Sequence, residues 1–312
     1  MQAFSAIESA HLTRETLRSQ LAQDGYALIR QVLPKAAVRA VLSDVASVLY
    51  AAGWLESQAD PLERIAKEGA ACGDPDPAFK RTYQQVFNLE KLHALPHEPA
   101  LRRVMDLLVD EQVLVHPKPI ARLIFPNCER LVVRPHQDYE FMGGDPEFYT
   151  AWIALHDCPV EAGPLRILAG SHRFGIQYHE HGNLHVPEIP AERAAGDTWV
   201  GGQVNAGDVL IFHSLTVHAA SPNLSQKLRL SLDCRFQDAT RVLNPSNLVF
   251  AGQSGKSWGK TYSGWQSDAL QFYWKRLPLR LKPTKAELEA LAQTAGQDAA
   301  REKYARMASQ LA

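Results

Sequence analysis

Cysteine is scarce in this 312-residue chain: Cys72, Cys128, Cys158 and Cys234 are the only four, widely spaced and without a C-x-x-C pair. That leaves no disulfide framework and predicts free, buried thiols in a reducing compartment. No apolar run is long enough to cross a bilayer, and the opening Met-Gln-Ala-Phe-Ser-Ala-Ile-Glu has no basic stretch leading into an apolar one. A charge excess is also missing. With 33 Lys+Arg against 34 Asp+Glu, no chain-wide field draws the protein to nucleic acid or to an anionic membrane. Internal repeats and low-complexity tracts are absent. These absences predict a soluble, cytoplasmic protein whose partner is a small molecule, and they leave the oligomeric state open.

What is present falls into three regions. Residues 12–23 read as a helix with Thr13 as N-cap, ended by Asp24-Gly25; Tyr26–Ile29 reads as a strand, and Pro34 opens a helix whose Val38, Val41, Leu42, Val45, Val48 and Leu49 follow a helical period. Three Asp-Pro pairs mark 59–78 as loop, and helices are expected around 79–93 and 99–110. From Val113 the pattern changes to short β-rich runs at 113–116, 119–125, 130–136, 149–156, 165–168, 198–204, 208–213 and 228–236. Helices do not alternate with these runs. The pattern therefore predicts a mainly β fold with flanking helices, an eight-stranded jelly roll rather than a parallel α/β sheet. In the last run Arg229, Ser231, Asp233 and Arg235 share one parity and Leu228, Leu230, Leu232, Cys234 and Phe236 the other, so a polar face can line a barrel interior. Beyond 240 come a Gly/Ser/Asn loop region with Trp258, Tyr262 and Trp265, expected to pack the terminal region, and a helix over 284–311 interrupted at Gly296. The expectation is one domain over 1–312: a helical region 1–112, a core 113–240, and a loop with a C-terminal helix over 241–312.

The chemistry concentrates in Arg134-Pro135-His136-Gln137-Asp138, at the end of the apolar run Leu131-Val132-Val133. On a strand His136 and Asp138 project from one face and Gln137 from the other. His218 supplies a third donor. Two histidines and one carboxylate leave coordination positions open, the arrangement expected of a non-haem Fe(II) oxygenase. Eleven residues beyond His218, Arg229 can clamp the far carboxylate of a dicarboxylate cosubstrate.

Pro135-His136-Gln137-Asp138, Ala151–Leu155, Gly163-Pro164-Leu165, Gly170-Ser171-His172, Gly207–His213, His218 and Asn223–Arg229 occur in the order and spacing of a known family. Over roughly 120–236 the chain resembles the phytanoyl-CoA dioxygenase family of Fe(II)/2-oxoglutarate-dependent oxygenases, with weaker similarity at Asp24-Gly25-Tyr26. The resemblance implies a double-stranded β-helix with a cupin-like core, in which His136, Asp138 and His218 hold Fe(II) and Arg229 binds the distal carboxylate of 2-oxoglutarate. It also implies O2 as second cosubstrate, succinate and CO2 as products, and hydroxylation of a small-molecule metabolite as the default outcome. Trp152 resembles the family's indole near the cosubstrate. Relatives can carry a serine two residues past the distal histidine, where this chain has Ala220, which leaves Ser221 or Ser231 to replace it. Arg122, Asn127, Arg134 and Gln85 are candidates for the other carboxylate. Asp138 argues against halogenation, because a carboxylate occupies the position that chloride would need.

Other histidines invite the same reading. His172 is read as a turn or structural residue and His213, five residues before His218, as facing away from the metal. His179, His181 and His185, with Glu180, sit in a polar connection without periodicity and are read as surface or substrate-loop residues rather than ligands. Two segments are expected to frame the open side of the iron: Tyr139–Phe148, as an aromatic lid with a Gly143-Gly144 hinge or as an ordinary connection, and 174–197. Arg134, Phe141 and Arg122 are the candidate substrate residues. A non-catalytic jelly roll that binds a small ligand, and a metal-assisted hydrolase, are the alternatives.

Overall fold

Two mostly antiparallel sheets carry the core of the computed structural model, which describes residues 1–177, 199–251 and 255–311. The strands are β1 (Gln2–Ala3), β2 (Ala6–Glu8), β3 (Tyr26–Arg30), β4 (Val113–Val115), β5 (Ile120–Ile124), β6 (Phe148–Ala154), β7 (Leu165–Leu168), β8 (Trp199–Gly201), β9 (Val209–His213), β10 (His218–Ala220) and β11 (Arg229–Asp238). The larger sheet has the order β2-β3-β9-β6-β11-β4, with β5 also pairing β11; the smaller has the order β1-β8-β7-β10. Period-two alternation sorts the larger sheet's side chains to two cores. Tyr26, Leu28, Trp152, Leu210 and Phe212 meet Leu165, Ile167, Val200 and Ala220 of the smaller sheet inside the roll. Ala27, Ile29, Ala151, Ile153, Val209 and Ile211 face outward onto the helices.

Those helices form where expected. Thr13 and Thr16 close a reciprocal capping box on α1 (Arg14–Asp24), worth roughly 1 kcal/mol. Gly25 ends it at φ +74°, where a Cβ would press on Thr216 Oγ1. Lys35–Ala51 (α2) buries Val38, Val41, Leu42, Val45 and Leu49 on the sheet, about 1.5–3 kcal/mol for each fully buried side chain. Further along are α3 (Pro77–Phe87), α4 (Glu90–Ala94) and α5 (Pro99–Asp106). The single helix expected over 79–93 is two, because Leu89 is extended and the Asn88 carbonyl accepts from Trp265 Nε1 at 2.9 Å. Trp258 and Tyr262 stack and pack with Phe87 and Phe250, and the terminal pattern resolves into helices Lys285–Thr294 and Asp298–Gln310.

Two corrections bear on the site. The run 130–136 is not a strand: Glu129–Leu131 makes a 3-10 turn, and Pro135 has no N–H to give a ladder. The strand that was not expected, β10, begins at His218 and pairs with β7.

Candidate metal centre and cosubstrate cleft

His136 and His218 are joined through their backbones. Each N–H donates to the other's carbonyl at 3.0 Å, an isolated antiparallel bridge that sets the two rings 4.2 Å apart between centroids. Each Nδ1 lies within hydrogen-bond distance of a carbonyl two residues back, Arg134 at 2.8 Å and Thr216 at 3.0 Å. Nδ1 therefore carries the proton in both rings, and both Nε2 lone pairs are free for a metal. The Thr216 hydroxyl in turn donates to the Gly25 carbonyl at 2.7 Å, so the turn after α1 buttresses the His218 support.

Asp138 reaches the same point by a different route. Its backbone is helical (φ −64°, ψ −29°) and it leads into the short α6 (Tyr139–Met142). The strand-parity reasoning for His136 and Asp138 thus reached the right pair through the wrong geometry. Asp138 Oδ1 lies 3.8 Å from Nε2 of each histidine. Thr150 Oγ1 donates to Oδ2 at 2.5 Å, and Arg235 grips the carboxylate through Nη2 at 3.1 Å to each oxygen and Nε at 3.3 Å. All three ligand atoms lie within 4.8 Å of one another, the one such group among the described residues. Burial and the neighbouring His218 push His136 down to about 3, and burial lowers His218 as well. Burial alone would raise Asp138, but Arg235 and the two imidazoles hold its carboxyl below the usual carboxylate range. The trio is two neutral imidazoles and one carboxylate, the protonation state in which divalent metals are bound.

Beside the triad is a narrow cleft whose lining includes His136, His218, Arg122, Trp152 and Arg229. Arg229 is 1% exposed; its Nη1 donates to Ser231 Oγ at 2.8 Å, while Nε and Nη2 have no partner among the described residues, and burial pushes the guanidinium down to about 10. Trp152 Nε1 is likewise buried and unpartnered, with the Arg229 guanidinium 5.9 Å from its ring. Leaving such donors unmet costs about 1–3 kcal/mol each, more for a charged group. A dicarboxylate that reaches from the triad to Arg229 satisfies them, so the residues present fit iron with 2-oxoglutarate. Ser231 acts on Arg229.

Of the four candidates for the second carboxylate, Arg122 borders the cleft, with its Nε on Asp233 Oδ2 at 2.7 Å. Gln85, Asn127 and Arg134 are exposed and do not line it. The Arg134 segment is not a strand, and its carbonyl serves the site by accepting from His136 Nδ1. Phe141, 55% exposed, stands edge-on to the His136 ring at 5.6 Å. The Gly143-Gly144 pair is not an open hinge. Gly144 packs against the Val242 carbonyl at a distance that a Cβ would close to 2.9 Å, and Asp145 N–H donates to that carbonyl at 2.8 Å.

His172 and His213 lie away from the triad in a separate polar cleft with Glu147, as their flanks suggested. His179, His181 and His185 lie outside the described residues, as does most of 174–197. Sequence reasoning missed Arg235, Thr150 and Gln137 as site residues. Gln137 Nε2 donates to the carbonyls of Gly175 and Leu215, tying both segments to the metal turn. For Arg235 and Thr150 the signal was parity, Arg235 with Arg229 on β11 and Thr150 with Trp152 on β6.

The family model described as phytanoyl-CoA dioxygenase (PhyH) matches residues 21–231. The chain belongs to this family. Like the family, it is an Fe(II)/2-oxoglutarate-dependent oxygenase, with the His-Asp-His set in place. A relative in Streptomyces arenae, "1-deoxypentalenic acid 11-beta-hydroxylase", is 27% identical over 245 residues, covering 73% of this chain and 82% of that one. "Phytanoyl-CoA dioxygenase" of Arabidopsis thaliana is 32% identical over 100 residues, 31% of this chain and 35% of that one. Among solved structures, the epimerase SnoN in complex with Fe3+, alpha ketoglutarate and nogalamycin RO shares the fold. Its TM-score is 0.56 at 22% identity, over 78% of this chain and 91% of that one. This PhyH-family chain thus has the double-stranded β-helix expected, and among its described residues no helix is long and apolar enough to cross a membrane.

Proposed function

We propose that this oxygenase, acting as one unit over 1–312, hydroxylates an unactivated C–H bond of a small-molecule metabolite, with His136, Asp138 and His218 as the iron ligands. Arg229, aligned by Ser231 and flanked by Trp152, clamps the distal carboxylate of 2-oxoglutarate. Iron, when bound with 2-oxoglutarate and O2, would supply the oxidant for C–H cleavage: O2 takes two electrons from 2-oxoglutarate, which leaves as succinate and CO2 with one oxygen atom, and two from the C–H bond, which receives the other oxygen as hydroxyl. The chain's own residues position and shield. Arg235 and Thr150 hold Asp138 Oδ2 so that Oδ1 faces the metal position; the Arg134 and Thr216 carbonyls fix both imidazole tautomers; Phe141 covers the His136 edge. The names of the Streptomyces relatives support hydroxylation over epimerisation or ring closure.

The observation that carries this reading is the unpaired, buried Arg229 fork in the cleft that the triad borders, which a metal-assisted hydrolase or a non-catalytic jelly roll would not need. Anaerobic addition of Fe(II) and 2-oxoglutarate should give a weak visible charge-transfer band at one iron per chain. His218→Ala should abolish the band and cut turnover by orders of magnitude while the circular-dichroism spectrum is kept. A wild-type band and wild-type turnover in that variant would refute the ligand assignment.

A further inference from the structure

A chamber of about 410 Å³ has Arg235 and Phe141 in its lining. One of these grips a metal ligand and the other stands against the His136 ring. The chamber is thus one residue removed from two of the three metal ligands. Tyr83, Phe87, Ile120, Phe141, Met142 and Phe250 supply mainly apolar walls, enough to enclose a hydrophobic body.

Lys118, Lys256 and Lys303 line this surface; Asp74 answers part of the Lys256 charge, whereas no described carboxylate makes an ion pair with Lys118. Arg235 is already matched by Asp138. Lys118 is half-buried between rings and backbone: its Nζ donates to the carbonyls of Ser246 and Val249, and it sits 5.8 Å from the Phe250 centroid. Two donations leave one ammonium N–H over. Burial, and then Lys256, push this ammonium down to about 8. Lys256 is half-buried and Lys303 exposed, both on the chamber surface. A half-buried ammonium without a counter-ion, set in an apolar wall, is stabilised when an anion brings the missing charge.

We infer that the primary substrate is a hydrophobic free carboxylic acid, its apolar body against Phe87, Phe141 and Phe250 and its carboxylate on Lys118. This rests on the oxygenase reading above, because the chamber is assigned to the substrate by its contact with the supports of the metal ligands. A free acid is preferred to a coenzyme A thioester because the cation not already matched by a carboxylate is one half-buried ammonium beside a ring, which suits a compact single charge. A thioester would place its phosphates on the outer lysines and a neutral group at Lys118.

The test uses the full chain loaded with Fe(II) and 2-oxoglutarate under anaerobic conditions, so that Arg229 is already engaged. Calorimetry compares decanoate and the tricyclic abietate with decanol and abietol, and with decanoyl-CoA. At least one acid should bind tenfold or more tightly than its alcohol. Lys118→Met should bring acid and alcohol within about twofold, and Lys118→Arg, which keeps the charge, should restore the preference. Equal binding of acids and alcohols by the wild type, no binding of either acid, or a preference that survives Lys118→Met overturns the inference. So does decanoyl-CoA binding tenfold tighter than decanoate with a loss in Lys256→Met or Lys303→Met. The charge-transfer band of the wild type, read in the same samples, separates the two levels: without it the oxygenase site assignment fails, whereas a normal band with no acid preference removes the substrate class alone.

Discussion

Replacing Arg235 with leucine strands a carboxylate in the interior. Asp138 is 2% exposed and Arg235 3% exposed, and the guanidinium makes three contacts of 3.1–3.3 Å to the two carboxylate oxygens. Once the guanidinium is gone, Thr150 is the one remaining side-chain hydrogen-bond donor to Asp138 among the described residues. Breaking a buried pair from one side costs about 3–5 kcal/mol, because the surviving charge keeps its desolvation penalty and loses its compensation. At roughly 2 °C per kcal/mol for a long chain, the metal-free Arg235→Leu protein should melt on the order of 6–10 °C below the wild type. The decisive comparison is a double-mutant cycle in chelator-treated protein. Adding Asp138→Asn removes the stranded charge, so the double variant should regain most of the loss instead of summing two losses. Scanning calorimetry on the four proteins reads the coupling directly. A single Arg235→Leu variant within about 2 °C of wild type, or a strictly additive cycle, would refute the view that Arg235 exists to hold the metal-ligating carboxylate.

At Arg229, lysine keeps the charge and loses the fork. Arg229→Lys should raise the KM for 2-oxoglutarate about 10- to 100-fold, the equivalent of roughly 1.5–3 kcal/mol for a charge-assisted contact, and move the substrate KM far less; an unchanged cosubstrate KM would place the clamp elsewhere. Acid should also unfold the metal-free protein early. Burial pushes His93 and His156 down to about 4 and His116 to about 3, against roughly 6.5 in an unfolded chain. Between those values the unfolded state binds more protons than the folded one, so stability rises with pH across that window and is lost as pH falls through it. The melting temperature should be nearly level above about pH 7 and fall steadily between about 6.5 and 4; a level profile down to pH 4.5 would contradict it.

The residues legible in the sequence are those whose chemistry forces both type and spacing. His136, Asp138 and His218, which the fold brings together, stood out because a metal site admits few side chains, and Arg229, the proposed clamp, because a carboxylate fork admits few. The inward polar parity of β11 was readable because a strand repeats every two residues whatever its partners. The sheet cores followed from the same alternation, and α1 and α2 from their caps and helical period. The tertiary structure decided how the groups meet. It put Asp138 on a helical turn rather than a strand, split 79–93 through a contact from Trp265, and brought Arg235 onto Asp138. Arg235 and Asp138 are 97 positions apart, and no local propensity or periodicity relates residues at that separation. The same holds for the chamber charge: Lys118, Lys256 and Lys303 are unremarkable lysines along the chain, and only the fold gathers them on one partly apolar surface.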